Sequence, residues 1–130
     1  MGRLRVLIAD DNDSVRAAVG RLLEERFEIV GAVSTGRELV DAALAQRPDV
    51  IVSDLDMPSI DGLAAMKVLR DAGHTTPFVL LTGMEGDVRR WIDVGVIGVV
   101  LKADVSELAA AIQAAAAGRV YLSRTVTSEI

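Results

Sequence analysis

The chain has no cysteine, which excludes disulfides, thiolate metal sites and cysteine nucleophiles, and leaves the compartment open. Its one histidine, His74, sits in a Gly-Thr loop, where an exposed turn residue is the plain reading and a phosphohistidine is not. Aromatic residues make up 3% of the chain, which argues against a flavin platform. Positive charge is in deficit. The net charge of −5 and pI of about 4.8 argue against nucleic-acid binding by this chain itself. No apolar run approaches about 18 residues. The basic start Arg3-Leu4-Arg5 leads straight into a strand-like segment, so neither a membrane span nor a signal peptide is read. The location expected is the cytoplasm. Repeats, linker-like stretches and low-complexity stretches are missing too, apart from one alanine run.

What is present is a globular composition: 130 residues, 51% hydrophobic and 25% charged, enough for one domain with a real core. Val50-Ile51-Val52 is a β-branched run that ends in Ser53-Asp54, and Pro58 with Asp61-Gly62 then turns the chain. Leu4 to Ala9 is a similar buried strand, ending in Asp10-Asp11. Asp13-Ser14 is placed to cap a helix carrying Val15, Val19, Leu22 and Leu23 at helical spacing. A second strand is read over Phe27 to Val33, and a second helix from Leu39 to Leu44 stops before Pro48. A third helix bearing Leu63, Met66, Val68 and Leu69 closes at Gly73. Phe78 to Leu81 makes a fourth strand ending at Thr82, and a short helix follows around Val88 and Trp91. Val99-Val100-Leu101 makes a fifth strand, ending at Lys102. Asp104 and Glu107 have capping-box spacing before a helix over Val105 to Ala117, which Gly118 stops. About five alternations of strand and helix predict a parallel sheet covered on both faces.

That architecture gives the polar residues a common address. Asp10, Asp11, Asp54, Thr82 and Lys102 all follow strands, and strand ends of a doubly wound sheet lie along one edge. Carboxylates so close together must raise a pKa or hold a cation. With oxygen ligands only, a hard ion such as Mg²⁺ suits the site. Lys102 is one of two lysines, the other being Lys67, in a chain that otherwise uses Arg. A compact ammonium beside carboxylate and metal suits a phosphoryl oxygen.

These pieces, in this order, resemble the receiver domain of two-component response regulators over residues 4 to 122. The match is carried by Asp10-Asp11, Asp54-x-x-Met57-Pro58 with Asp61-Gly62, Thr82 after Leu80-Leu81, and Lys102 after Val100-Leu101. The resemblance implies a flavodoxin-like α/β fold, with a doubly wound five-stranded parallel sheet in the order 2-1-3-4-5 and helices on both faces. It implies that Asp54 accepts a phosphoryl group from a sensor histidine kinase, with Thr82 and Lys102 binding the transferred group. Mg²⁺ would be held by Asp10, Asp11, Asp54 and the main-chain carbonyl of Asp56. A protein of this kind switches conformation and dephosphorylates itself, but is not a turnover enzyme.

The stretch from Leu101 to Asp104, with Leu108 to Ile112 and Ala117 to Ser123, is similar to NarL/FixJ-type receivers, which usually precede a LuxR-type helix-turn-helix. Residues 1–122 are accordingly read as the receiver. Residues 123–130 are read as the beginning of a linker, or of a helix cut short, toward a C-terminal domain absent from the chain. DNA binding would come through that domain, and a second copy of the chain stands beside the kinase as a partner.

Two positions depart from the family pattern. Val99 stands where an aromatic residue usually tracks activation, so the relay from Thr82 must run otherwise. Asp56 is an extra carboxylate, for which a solvated side chain is the plainer reading and a role in hydrolysis of the acyl phosphate the sharper one. Trp91 and Met84 are read as packing or partner-surface residues. Two other functions compete. Asp54-Leu55-Asp56 has the form of the nucleophile and acid of haloacid dehalogenase-type phosphohydrolases. There, however, the motif opens the domain, and an acidic pair follows late. A stand-alone interaction receiver is the other alternative.

Overall fold

The structure is a computed structural model that describes residues 2–83 and 86–129. Met84, paired above with Trp91 as a packing or surface residue, lies outside the described residues. In chain order the elements are β1 (Arg5–Ala9), α1 (Asp13–Leu23), β2 (Glu28–Val33), α2 (Gly36–Gln46), β3 (Val50–Ser53) and α3 (Gly62–Asp71). They continue with β4 (Phe78–Thr82), α4 (Val88–Asp93), β5 (Gly98–Leu101), a 3₁₀ turn (Lys102–Glu107), α5 (Leu108–Ala116), β6 (Tyr121–Leu122) and α6 (Arg124–Glu129).

All strands pair in parallel, in the order β2-β1-β3-β4-β5-β6. Among the described residues the sheet therefore has six strands, not five. The added strand is two residues long and joins β5 through Gly98↔Tyr121 and Val99↔Leu122. A strand that short shows no alternation to read, and its pairing partner lies more than 20 residues earlier.

Two cores flank the sheet, and the period-2 geometry of a strand sorts side chains between them. Leu7, Ala9, Ile51, Leu80, Val99 and Leu101 face Leu39 and Ala43 of α2, Ala65, Met66 and Leu69 of α3, and Trp91 of α4. Val6, Ile8, Val50, Val52, Val79, Leu81 and Val100 face Val19 and Leu23 of α1 and Leu108, Ala111, Ile112 and Ala115 of α5. Strands β3, β4 and β5 are buried along their whole length, as continuous apolar runs in a doubly covered sheet require. Trp91, 6% exposed, is a core residue that anchors the short α4.

Several helix ends follow their sequence signals. Thr35 and Asp61 cap α2 and α3 by accepting from the main-chain N–H of Glu38 and Ala64. At α1 the cap is Asn12 rather than Asp13: Asn12 has the extended backbone a cap needs and accepts from Val15 N, while Asp13 is helical and pairs with Arg16 at 2.7 Å. A second correction falls on Asp104 and Glu107. The helix expected from Val105 begins at Leu108 after the 3₁₀ turn, and neither side chain caps it. Both carboxylates instead reach across to the last strand and helix. The segment read as linker or shortened helix is helical from Arg124 to Glu129, with Val126 3% exposed in the α2–α3–α4 core.

Candidate functional site

The sheet reverses its winding between β1 and β3, the two strands from which the chain departs in opposite directions. Their ladder continues past the last paired residues, because Asp54 N donates to Ala9 O at 2.8 Å. On the other side Asp10 N donates to Val33 O at 3.0 Å. Asp10 and Asp54 thus leave neighbouring strands at one level. Gly62 lets α3 start directly beneath them: a Cβ there would lie 2.5 Å from the Asp54 carbonyl oxygen and 2.9 Å from Ser53 Oγ. Ser53 Oγ donates to that same carbonyl at 2.7 Å.

The acidic turn is held from several sides. Asn12 N donates to Asp10 Oδ1 at 2.9 Å, and Arg16 Nη1 donates to Asp10 O at 2.8 Å while its other arm holds Asp13. Arg16 lies in the opening part of α1. Its return to Asp10 is one that its position six residues after that aspartate permits, since a guanidinium spans a helical turn.

Asp10 and Asp54 are buried, 2% and 9% exposed, and Asp11 is exposed. A carboxylate oxygen from each lies within 4.8 Å of the others. Lys102 reaches in from the end of β5, with Nζ 3.3 Å from Asp10 Oδ2 and 3.5 Å from Asp54 Oδ2. Burial pushes the Asp54 carboxyl above its usual range and the charge of Asp10 pushes it further, while Lys102 pulls it back. One ammonium therefore serves two buried carboxylates and does not fully neutralise the pair.

The metal expectation can be tested on one atom. Asp10 Oδ2 is buried and accepts no hydrogen bond among the described residues; the Lys102 contact has the distance of an ion pair without hydrogen-bond alignment. A buried, undonated carboxylate oxygen beside two others is what a hard divalent cation satisfies, so the donor set fits Mg²⁺. Thr82 ends β4, 4% exposed, and its register partner Leu101 is the residue before Lys102. Asp10, Asp11, Asp54, Thr82 and Lys102 thus converge at one sheet edge. Asp56 is exposed on the loop after β3, and its carboxylate is not part of the acidic cluster among the described residues. Sequence reasoning missed Asn12, Arg16 and the role of Ser123, whose hydroxyl accepts from Leu101 N at 3.1 Å.

Residues 6–113 match the response regulator receiver domain family. The chain is 36% identical over 129 residues to a nitrate/nitrite response regulator protein homolog of Haemophilus influenzae, covering 95% of this chain and 62% of that one. It is 37% identical over 106 residues to a protein-glutamate methylesterase/protein-glutamine glutaminase of Archaeoglobus fulgidus, covering 78% of this chain and 30% of the other. Among solved structures, a LuxR-family two-component response regulator from Aurantimonas superposes with a TM-score of 0.91 at 28% identity, over 99% of this chain and 96% of that one. The chain thus spans about three fifths of the first of these relatives and less than a third of the second.

Proposed function

The chain belongs to the response regulator receiver family, and on that premise we propose that Asp54 accepts the phosphoryl group, with Asp10, Asp11 and the Asp56 carbonyl holding Mg²⁺. The single observation that carries this reading is the placement of Lys102 Nζ, 3.3 Å from Asp10 and 3.5 Å from Asp54 at the switch point of the sheet. Phosphoryl transfer asks the protein for positioning and charge neutralisation more than for covalent chemistry of its own. The end of β3 fixes Asp54 for in-line attack. Lys102 offers its ammonium to the transferred oxygens, and the Thr82 hydroxyl stands one strand away. When bound, Mg²⁺ supplies charge neutralisation for the carboxylates and the incoming group. The product is an acyl phosphate on Asp54, whose lifetime limits the signal.

A sensor histidine kinase is the donor this reading calls for. The surface of α4, β5 and α5 is the part proposed to respond, with a second copy of the chain among its partners. Val99, fully buried, fills the inner face of β5 and has no ring to swing. The rearrangement is therefore expected to be smaller than in receivers with an aromatic there. Transcriptional control through a helix-turn-helix segment outside these residues is the output proposed. It rests on the likeness to a LuxR-family protein, while the methylesterase likeness shows that receivers of this kind also occur in proteins named for an enzyme.

Incubation with acetyl phosphate and Mg²⁺, followed by intact mass measurement, tests the assignment. One phosphoryl adduct is expected, absent from Asp54→Asn and absent without Mg²⁺. An adduct that persists in Asp54→Asn overturns it.

A further inference from the structure

We infer that Ser123, with Asp104 and Thr125, positions Lys102, so that the last strand and helix are part of the phosphoryl site; this rests on the role just given to Lys102. The hydrogen bonds bracket the lysine. The Ser123 hydroxyl accepts from Leu101 N, immediately before Lys102, at 3.1 Å, and donates to Asp104 Oδ2, two residues after it, at 2.8 Å. Thr125 adds two donors to the same carboxylate, its N to Oδ2 at 2.9 Å and its Oγ1 to Oδ1 at 2.8 Å. Ser123 N in turn donates to Val99 O at 2.9 Å, which extends the β5–β6 ladder to the bracket. Ser123 is fully buried and Asp104 is 3% exposed, so the bonds between them and to Leu101 meet little competition from water, while those of Thr125 are part-buried.

The segment so held needs holding. Lys102 opens a 3₁₀ turn, whose hydrogen bonds are poorer than those of an α-helix, and Asp104 departs from helical dihedrals inside it (φ −105°, ψ 27°). A lysine side chain has four rotatable bonds and does not fix its own ammonium, so a loosened main chain adds to a spread of Nζ that the side chain itself does not limit. The turn's own bonds are reinforced from outside it: Ser123 Oγ accepts from Leu101 N, and Ser123 and Thr125 hold the Asp104 side chain. A second tie runs alongside, with Glu107 accepting from Tyr121 Oη at 2.8 Å and from Arg124 N at 3.0 Å.

Coupling of this kind is reciprocal: if residues 121–129 order Lys102, a ligand that engages Lys102 must order residues 121–129. The full chain is compared by hydrogen exchange with and without Mg²⁺ and beryllofluoride. Exchange over 121–129 is expected to slow about fivefold, and Lys102→Ala to erase that change while leaving the unliganded pattern in place. Unaltered exchange there in the wild type, with protection gained around Asp54, overturns the inference. A second arm uses acetyl phosphate labelling at saturating Mg²⁺. Ser123→Ala and Thr125→Val are expected to label about tenfold more slowly, and Thr125→Ser, which keeps the hydroxyl, to recover the wild-type rate. Should Ser123→Ala fail to fold, the half-exposed Thr125 pair still decides. Wild-type labelling rates in Thr125→Val, with 121–129 visibly loosened, would make the contact a tether only and overturn the inference. Labelling of Asp54→Asn would instead overturn the underlying assignment of Asp54.

Discussion

Two buried carboxylates flank Lys102, and they are treated in opposite ways. Asp54, 9% exposed, has a second carboxylate beside it and shares one ammonium with that neighbour, and its carboxyl is held above the usual range. Asp104, 3% exposed, is fed by the Thr125 main chain and the hydroxyls of Ser123 and Thr125, which hold its carboxyl below that range. Burial raises both; what differs is the Asp10 charge beside the one and the donors aimed at the other. The molecule leaves one carboxylate in want of positive charge at the proposed phosphoryl site, and satisfies the other where two distant segments meet.

The contrast can be broken hardest at Asp104. Asp104→Ala takes the acceptor from the fully buried Ser123 hydroxyl and from the part-buried Thr125 hydroxyl and N–H, and a fall in melting temperature of roughly 10 °C is expected by thermal denaturation. Asp54→Asn should move the other way. It removes a charge that repels Asp10, so at pH 7 without Mg²⁺ the melting temperature is expected to rise by about 3–6 °C. Mg²⁺ should stabilise the wild type in the same assay and lose most of that effect in Asp54→Asn and Asp10→Asn. A fall in Asp54→Asn would show that its carboxylate is satisfied after all.

Acidification separates the two carboxylates by sign. The folded Asp54 binds its proton more tightly than the unfolded chain does, so its ionisation costs stability at neutral pH, and that cost disappears as the pH falls through its raised value toward 3.8. The advantage of Asp54→Asn should shrink over that window. Asp104 is lowered, so its contribution is full above 3.8 and is lost only as the pH falls below it. The penalty of Asp104→Asn should therefore persist down to pH 4. Melting curves of the three proteins between pH 3 and 7 check both slopes. The smallest effect is expected at Lys102→Ala. A part-exposed ammonium contributes up to about 1 kcal/mol, and Mg²⁺ should restore the loss by neutralising the same carboxylates. A loss as large as a core truncation, about 3 kcal/mol, would make Lys102 a structural residue first.

The site was more legible than its support. Asp10, Asp11, Asp54, Thr82 and Lys102 could be placed because each terminates a strand, and a parallel sheet lines up its strand ends whatever the details of packing. Asp104 and Glu107 were misread because a capping box and a long-range clasp show the same spacing; only the position of residues 121–125 in space separates them. Strand β6 went unseen for a related reason, since two residues carry no period and the strand exists through its pairing with β5. Asn12 and Asp13 are both good caps, and the choice between them was made by the turn that sends Asn12 N to Asp10.

The interval between Lys102 and its bracket also has a meaning in time. Ser123 lies 22 residues beyond Leu101, the residue whose N–H it accepts. A nascent chain extended at about 5–20 residues per second adds those residues over roughly one to four seconds after the strand end is made. Through that interval the growing polypeptide holds every side chain of the acidic site and the lysine, yet lacks the hydroxyl that fixes the lysine's main chain. In the arrangement proposed above, a site spread from the first strand to the fifth is completed by the residue that follows the sixth. The support of the lysine is made after the lysine itself, together with α5, whose Leu108, Ala111, Ile112 and Ala115 close one face of the sheet.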